Sequence, residues 1–178
     1  MLRLRAAFAT ALVVALVVVA PVAAAHLKQD LAWGSGVRAP YTTDSPAPTF
    51  QFNASSNPDG TGPAGTFIWE YPTGGFVATV TCLNVNGKHA TLVGEVNTAT
   101  GLFAGSEGFW FEATVQDNGA ATKRHPSPDV MSGVSEASPL EWQGVGVFSE
   151  AQLCANPYAY VSDAMVPLVS GDLTVIDR

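Results

Sequence analysis

The chain has 178 residues, 47% hydrophobic and 13% charged, with 15 acidic against 8 basic side chains and a formal net charge of −7. That balance excludes nucleic acid as a partner, because such binding rests on neutralising phosphates with Lys and Arg, and it disfavours anionic membrane surfaces. Aromatic and β-branched residues spread along the sequence exclude a disordered chain, and the length suits one domain.

Residues 1–25 read as a secretory signal peptide: the charged start MLRLR, an apolar run from Ala6 to Ala20, and the small-residue ending Pro21-Val22-Ala23-Ala24-Ala25. The apolar run is about 15 residues, short of the roughly 20 that a spanning helix needs. Cleavage after Ala25 removes Arg3 and Arg5 but no acidic residue, so the formal charge moves from −7 to −9. The predicted product is secreted, extracellular and free of the membrane once cleaved. The ending GDLTVIDR carries neither an apolar tail nor a basic stop.

Residues 26–47 form an N-terminal strand around Trp33 and a Pro-rich lead-in, and residues 48–178 the main domain. Pro48 to Ser55 alternates, with Phe50, Phe52 and Ala54 on one face. The turn residues of 57–65 follow, then a strand from Gly65 to Tyr71 with Phe67, Trp69 and Tyr71 on one face. Phe76 to Val85 and Lys88 to Val96 flank Asn86-Gly87, the favoured pair for a type I′ hairpin. In the first arm Phe76, Ala78, Val80 and Cys82 share a face before Leu83 and Val85 take the opposite phase. Either both faces are buried or a bulge resets the register.

Gly108 to Asp117 alternates, with Phe109, Phe111, Ala113 and Val115 inward and Trp110, Glu112, Thr114 and Gln116 outward. The stretch 120–129 reads as an exposed basic loop with two prolines. Short strands are predicted near Val130 to Ser135, Leu140 to Phe148, Tyr158 to Leu168 and Leu173 to Ile176. One helical turn at Ser149 to Leu153, with Ser149 as cap, is the helix evidence. Eight to ten short strands with closely spaced turns predict an all-β fold, a single antiparallel β-barrel or sandwich.

Cys82 and Cys154 in an exported protein read as a disulfide, worth about 4 kcal/mol by loop closure. The alternative is two buried reduced thiols. A catalytic thiol lacks a sequence neighbour to lower its pKa. Ser106 in AGSEG lacks the first glycine of G-x-S-x-G and reads as a glycine loop. His26, His89 and His125 have no zinc spacing, although an N-terminal His26 can chelate copper. Asp117, Asn118 and Asp129 are candidate oxygen ligands for calcium, against an Asx-turn explanation for the same residues. The scattered glutamates, Glu112 and Glu136 among them, contain no motif that selects a glycosidase pair. Trp110 is the candidate ligand contact, since its neighbours Phe109 and Phe111 claim the inner face, against burial beneath a second layer. Asn53-Ala54-Ser55 matches a glycosylation sequon. The sequence implies no cofactor.

The order of VTCLNVNGKHA (80–90), VQDNG (115–119), Cys154 and GDLTVID (171–177) resembles a broad group of small secreted actinobacterial proteins. That resemblance implies a β-rich fold with the first cysteine on a core strand. The group has no assigned activity, so no catalytic residue is carried over. Residues 120–128 are more basic than the group's pattern. These readings point to a non-enzymatic extracellular ligand-binding or envelope-associated module, with an unknown small molecule or extracellular partner bound in a barrel mouth or near Trp110. A secreted glycan or peptide hydrolase and a protein-interaction or inhibitor domain are the rival classes.

Overall fold

The computed structural model describes residues 28–119, 128–156 and 165–178. Eight strands run in chain order: β1 (Asp30–Arg38), β2 (Thr49–Ser56), β3 (Ala64–Tyr71), β4 (Gly74–Asn86), β5 (His89–Ala99), β6 (Trp110–Gln116), β7 (Val130–Ala137) and β8 (Val166–Ile176). Each pairs antiparallel with its sequence neighbours, and β8 pairs with β1 to close a barrel. The barrel, not the sandwich, is therefore the architecture, and closure leaves no free edge at β1 or β2.

Alternation along the strands supplies the interior. Phe50, Phe52, Phe67, Trp69, Phe76 and Phe111 are all buried. Phe67 stacks on Phe111 with ring centroids 4.7 Å apart and also meets Phe52, Trp69 and Phe76. Rings of this size occupy the axis of an eight-stranded barrel. Gly94 on β5 makes room for them, since a Cβ there would lie 2.8 Å from Cε1 of Phe111.

The opposite phases within β4 have their explanation in a bulge. Pairing with β5 steps from Val80↔Gly94 to Cys82↔Val93, so Thr81 is the extra residue. Val80 and Leu83 consequently both enter the core, while Cys82 faces out. The hairpin is present, but its turn differs from the type I′ expectation. Asn86 pairs with His89, so the loop is Gly87-Lys88, and only Gly87 has a positive φ, of 60°. A glycine at the first central position is the type II′ requirement.

The expected strand at Leu140 to Phe148 is instead a helix, α1 (Pro139–Gly144). Ser138 and Glu141 form a reciprocal capping box ahead of it, and Pro139 sits in its first turn. The short apolar spacing there looks strand-like, but the cap commits the backbone. Replacing Ser138 by Ala is expected to cost about 1 kcal/mol in urea unfolding. The turn at Ser149 is α2 (Glu150–Ala155), capped by Ser149 as expected. The two final strands are one continuous β8, and the predicted stretch 158–164 lies outside the described residues.

Helices α1 and α2 cover one side of the barrel. Trp142, Val147, Leu153 and Cys154 pack on Val93, Cys82, Trp110 and Ala137 in a second, outer core. The Cys82–Cys154 disulfide joins α2 to β4 across this layer.

The β7–β8 seam has only two paired positions, Val130↔Pro167 and Met131↔Val166. Side chains extend it. Asp129 accepts from the Leu173 N–H at 2.7 Å, and Asp117 from the Val175 N–H at 3.1 Å. Further along β7, Arg38 Nε donates to the Ser132 carbonyl at 2.9 Å and the Tyr41 hydroxyl accepts from the Val134 N–H at 3.0 Å. Asp129→Ala would strand a buried N–H and is expected to lower stability by about 1–3 kcal/mol, read by chemical denaturation.

Candidate functional site

The hydrophobic pattern and the observed facing of β1 disagree, and the disagreement marks the site. In DLAWGSGVR the large apolar residues are Leu31, Trp33 and Val37, yet Ala32, Gly34, Gly36 and Arg38 take the inner phase. The aromatic rings of β2, β3, β4 and β6 already fill the axis, so β1 contributes almost no inward volume. A Cβ at Gly34 would lie 2.6 Å from Cδ2 of Leu173. Trp33 is therefore turned outward and is 42% exposed.

Trp33 stands in register with Asn53 on β2 and Thr174 on β8, and the next row holds Ser35 between Gln51 and Asp172. No described helix packs on this side. A cleft of about 480 Å³ runs along Trp33, Ser35, Gln51, Asn53, Asp172 and Thr174. A second, of about 370 Å³, lies towards Leu31, Ser55 and Gly65 and shares Trp33 and Asn53 with the first. The indole thus stands between two shallow clefts whose other walls are amides, hydroxyls and small apolar groups. Among the described residues, Asp172 is the one charged side chain lining either. Asn53 of the sequon is exposed here, on the outer face of β2.

The other Trp candidate has a different setting. Trp110 is half-buried in the outer core, and its carbonyl accepts from Trp142 Nε1 at 3.3 Å. Near the end of β3, Tyr71 lines a further cleft of about 430 Å³ together with Glu70, Phe76 and Thr100. Tyr71 stacks on Phe103 at 6.1 Å, and the Arg38 guanidinium lies 4.3 Å over the Tyr41 ring. Burial pushes the Tyr71 hydroxyl up to about 12.

Asp117, Asn118 and Asp129 come together, but as a backbone clasp. Asp129 Oδ1 accepts from the Asn118 N–H, Asp117 Oδ1 from the Gly119 N–H, and Asn118 itself bonds Gln116 and the Pro128 carbonyl. Among the described residues, no group of three His, Cys, Asp or Glu is placed to hold a metal ion. Asp129, expected in the exposed loop, is buried. The rest of that loop, residues 120–127, lies outside the described residues, as do His26 and His125.

Ser106 is buried and donates to the Phe103 carbonyl at 2.7 Å. His89 is exposed at the opposite end of β5, where Nε2 meets Gln116 Oε1 at 2.8 Å. Cys154 is bonded and is no free thiol.

Two glutamates that looked unremarkable in sequence are the most perturbed groups among the described residues. Burial pushes Glu112 up to about 8 and Glu136 up to about 7. Glu112 is fully buried beneath the helical layer, and neither carboxyl oxygen has a hydrogen-bond partner among the described residues. They do not form a catalytic pair. Phe111 pairs with Glu136 and Glu112 with Ser135, so Glu136 follows the inner phase and Glu112 the outer one. The thickness of the sheet separates them. Only the covering of β6 by α1 and α2 reveals Glu112, and no local sequence signal carries that information.

No family model matches the chain, and neither a curated protein nor a solved structure is significantly similar to it.

Proposed function

We propose that this protein is a secreted, non-enzymatic binding module of the cell envelope whose working surface is the outer face of β8-β1-β2-β3, which no described helix covers. The observation that carries the reading is Trp33, a large aromatic turned to solvent between two clefts against the hydrophobic pattern of its own strand. Tyr and Trp expose an apolar body with a polar handle, which suits recognition in water. The closed, aromatic-filled barrel supplies a rigid platform, and the disulfide fits an oxidising compartment. Among the described residues no helix is long and apolar enough to cross a membrane. The signal peptide and the likeness to small secreted actinobacterial proteins support the same address. Intact-mass measurement of the exported protein tests it, with His26 expected as the first residue.

Hydrolysis has less support, because the two most strongly raised carboxyls, Glu112 and Glu136, lie on opposite faces of the sheet, and Asp129, raised by burial as well, is held by backbone N–H groups. Co-sedimentation with purified cell-wall sacculi tests the binding face. The wild type is expected to sediment with them, and Trp33→Ala to lose at least tenfold in affinity with an unchanged melting temperature. Equal retention of wild type and variant would remove this face from consideration.

A further inference from the structure

Resting on that reading of the Trp33 face, we propose that its ligand is a neutral polyhydroxylated chain, a glycan, with one sugar ring stacked on the Trp33 indole. A pyranose presents an apolar C–H face bordered by hydroxyls that both donate and accept. The site has the matching order: an exposed indole at the centre, then Asn53 and Gln51 amides and Ser35 and Thr174 hydroxyls around it. Amides and hydroxyls offer donors and acceptors together, as a hydroxyl partner requires.

Charge argues for neutrality. Among the described residues Asp172 is the one charged group lining either cleft and no cation lines them, so a uronate or phosphate group would meet a carboxylate without a counter-charge. The Asp172 carboxylate instead accepts from sugar hydroxyls. An extended peptide finds no free strand edge at the centre of this face, because β1 is paired on both sides and β2 likewise. Seating the face on a lipid surface would bury its amides and hydroxyls without partners. The clefts meet at Trp33 and Asn53, so a chain longer than one ring crosses the indole and enters both.

Titration of the mature secreted chain with neutral hexasaccharides of glucose, mannose and N-acetylglucosamine tests this, followed by calorimetry and amide NMR. At least one is expected to bind saturably, with shifts concentrated at Trp33, Gln51, Asn53 and Thr174. Trp33→Ala is expected to weaken it at least tenfold, Trp33→Phe less, and Asn53→Ala severalfold. A galacturonate hexasaccharide is expected to bind at least tenfold more weakly than the best neutral one. If none of the neutral chains binds, or shifts map elsewhere, the glycan assignment falls. Trp33-dependent retention on sacculi would then still uphold the face, whereas loss of Trp33 dependence in both assays overturns the two together.

Discussion

Replacing Glu112 by Gln is expected to remove most of the fall in stability between pH 5 and pH 8. Glu112 sits under α1 and α2 with Val93 and Ser135 as cross-strand neighbours, and neither of its oxygens has a partner among the described residues. Burial raises its pKa from 4.5 to about 8. The folded chain therefore holds this proton through a pH range in which the unfolded chain releases it. Stability depends on pH through the difference in bound protons, and here the unfolded state binds fewer, so stability falls as pH rises. The loss begins near the unfolded value of 4.5 and ends near the folded value of about 8. At about 1.4 kcal/mol per unit, the total is roughly 3–5 kcal/mol.

Denaturant unfolding of wild type and Glu112→Gln at pH 5, 6.5 and 8 reads the effect. The stability difference between them should grow with pH in favour of the variant. Glu136, raised to about 7 and part-exposed, contributes a smaller loss of the same sign that the variant retains. If the outer layer opens without the barrel, the protection factors of α1 and α2 amides, corrected for the base-catalysed intrinsic rate, should fall above pH 7 in the wild type and not in the variant. A difference that stays constant with pH would show that Glu112 ionises in the folded protein without cost.

Removing the disulfide is the second large effect. Cys82 and Cys154 are 72 residues apart in sequence, and their Cα atoms lie 6.2 Å apart. Loop-closure entropy for that length corresponds to about 4 kcal/mol. The bond also anchors a six-residue helix, α2, that is too short to persist alone. Cys82→Ala with Cys154→Ala is expected to lower urea-unfolding stability by about 4 kcal/mol. Exchange protection should vanish first in α2, then at Trp142. A loss below 1 kcal/mol would show that packing of Leu153 and Trp142 on Val93 holds the layer without the staple.

The two effects meet in one place, since the helical layer covers the buried carboxyl and is itself held by the disulfide. The same asymmetry defines the candidate site. One side of the barrel is covered by α1 and α2, and the side opened by β8-β1-β2-β3 presents Trp33.

Sequence alone determined the elements in which local rules act. Period-two alternation placed Phe50, Phe52, Phe67, Trp69, Phe111 and Val115 inward, because strand geometry alternates side chains whatever lies beyond them. The paired cysteines, the β4–β5 hairpin, the Ser149 cap and the phase change at Val80 to Leu83 were all legible for similar reasons. The Ser138 and Glu141 spacing carries a capping box, a local signal that the strand expectation at Leu140 to Phe148 left out. Tertiary structure alone decided what an outward position meets. Trp110 and Glu112 point outward and are covered by helices arriving from residues 139–155, whereas Trp33 points outward and meets water. The phase of β1 was decided the same way. Its large residues face out because the axis was filled by rings from four other strands, a volume limit that no residue of β1 encodes.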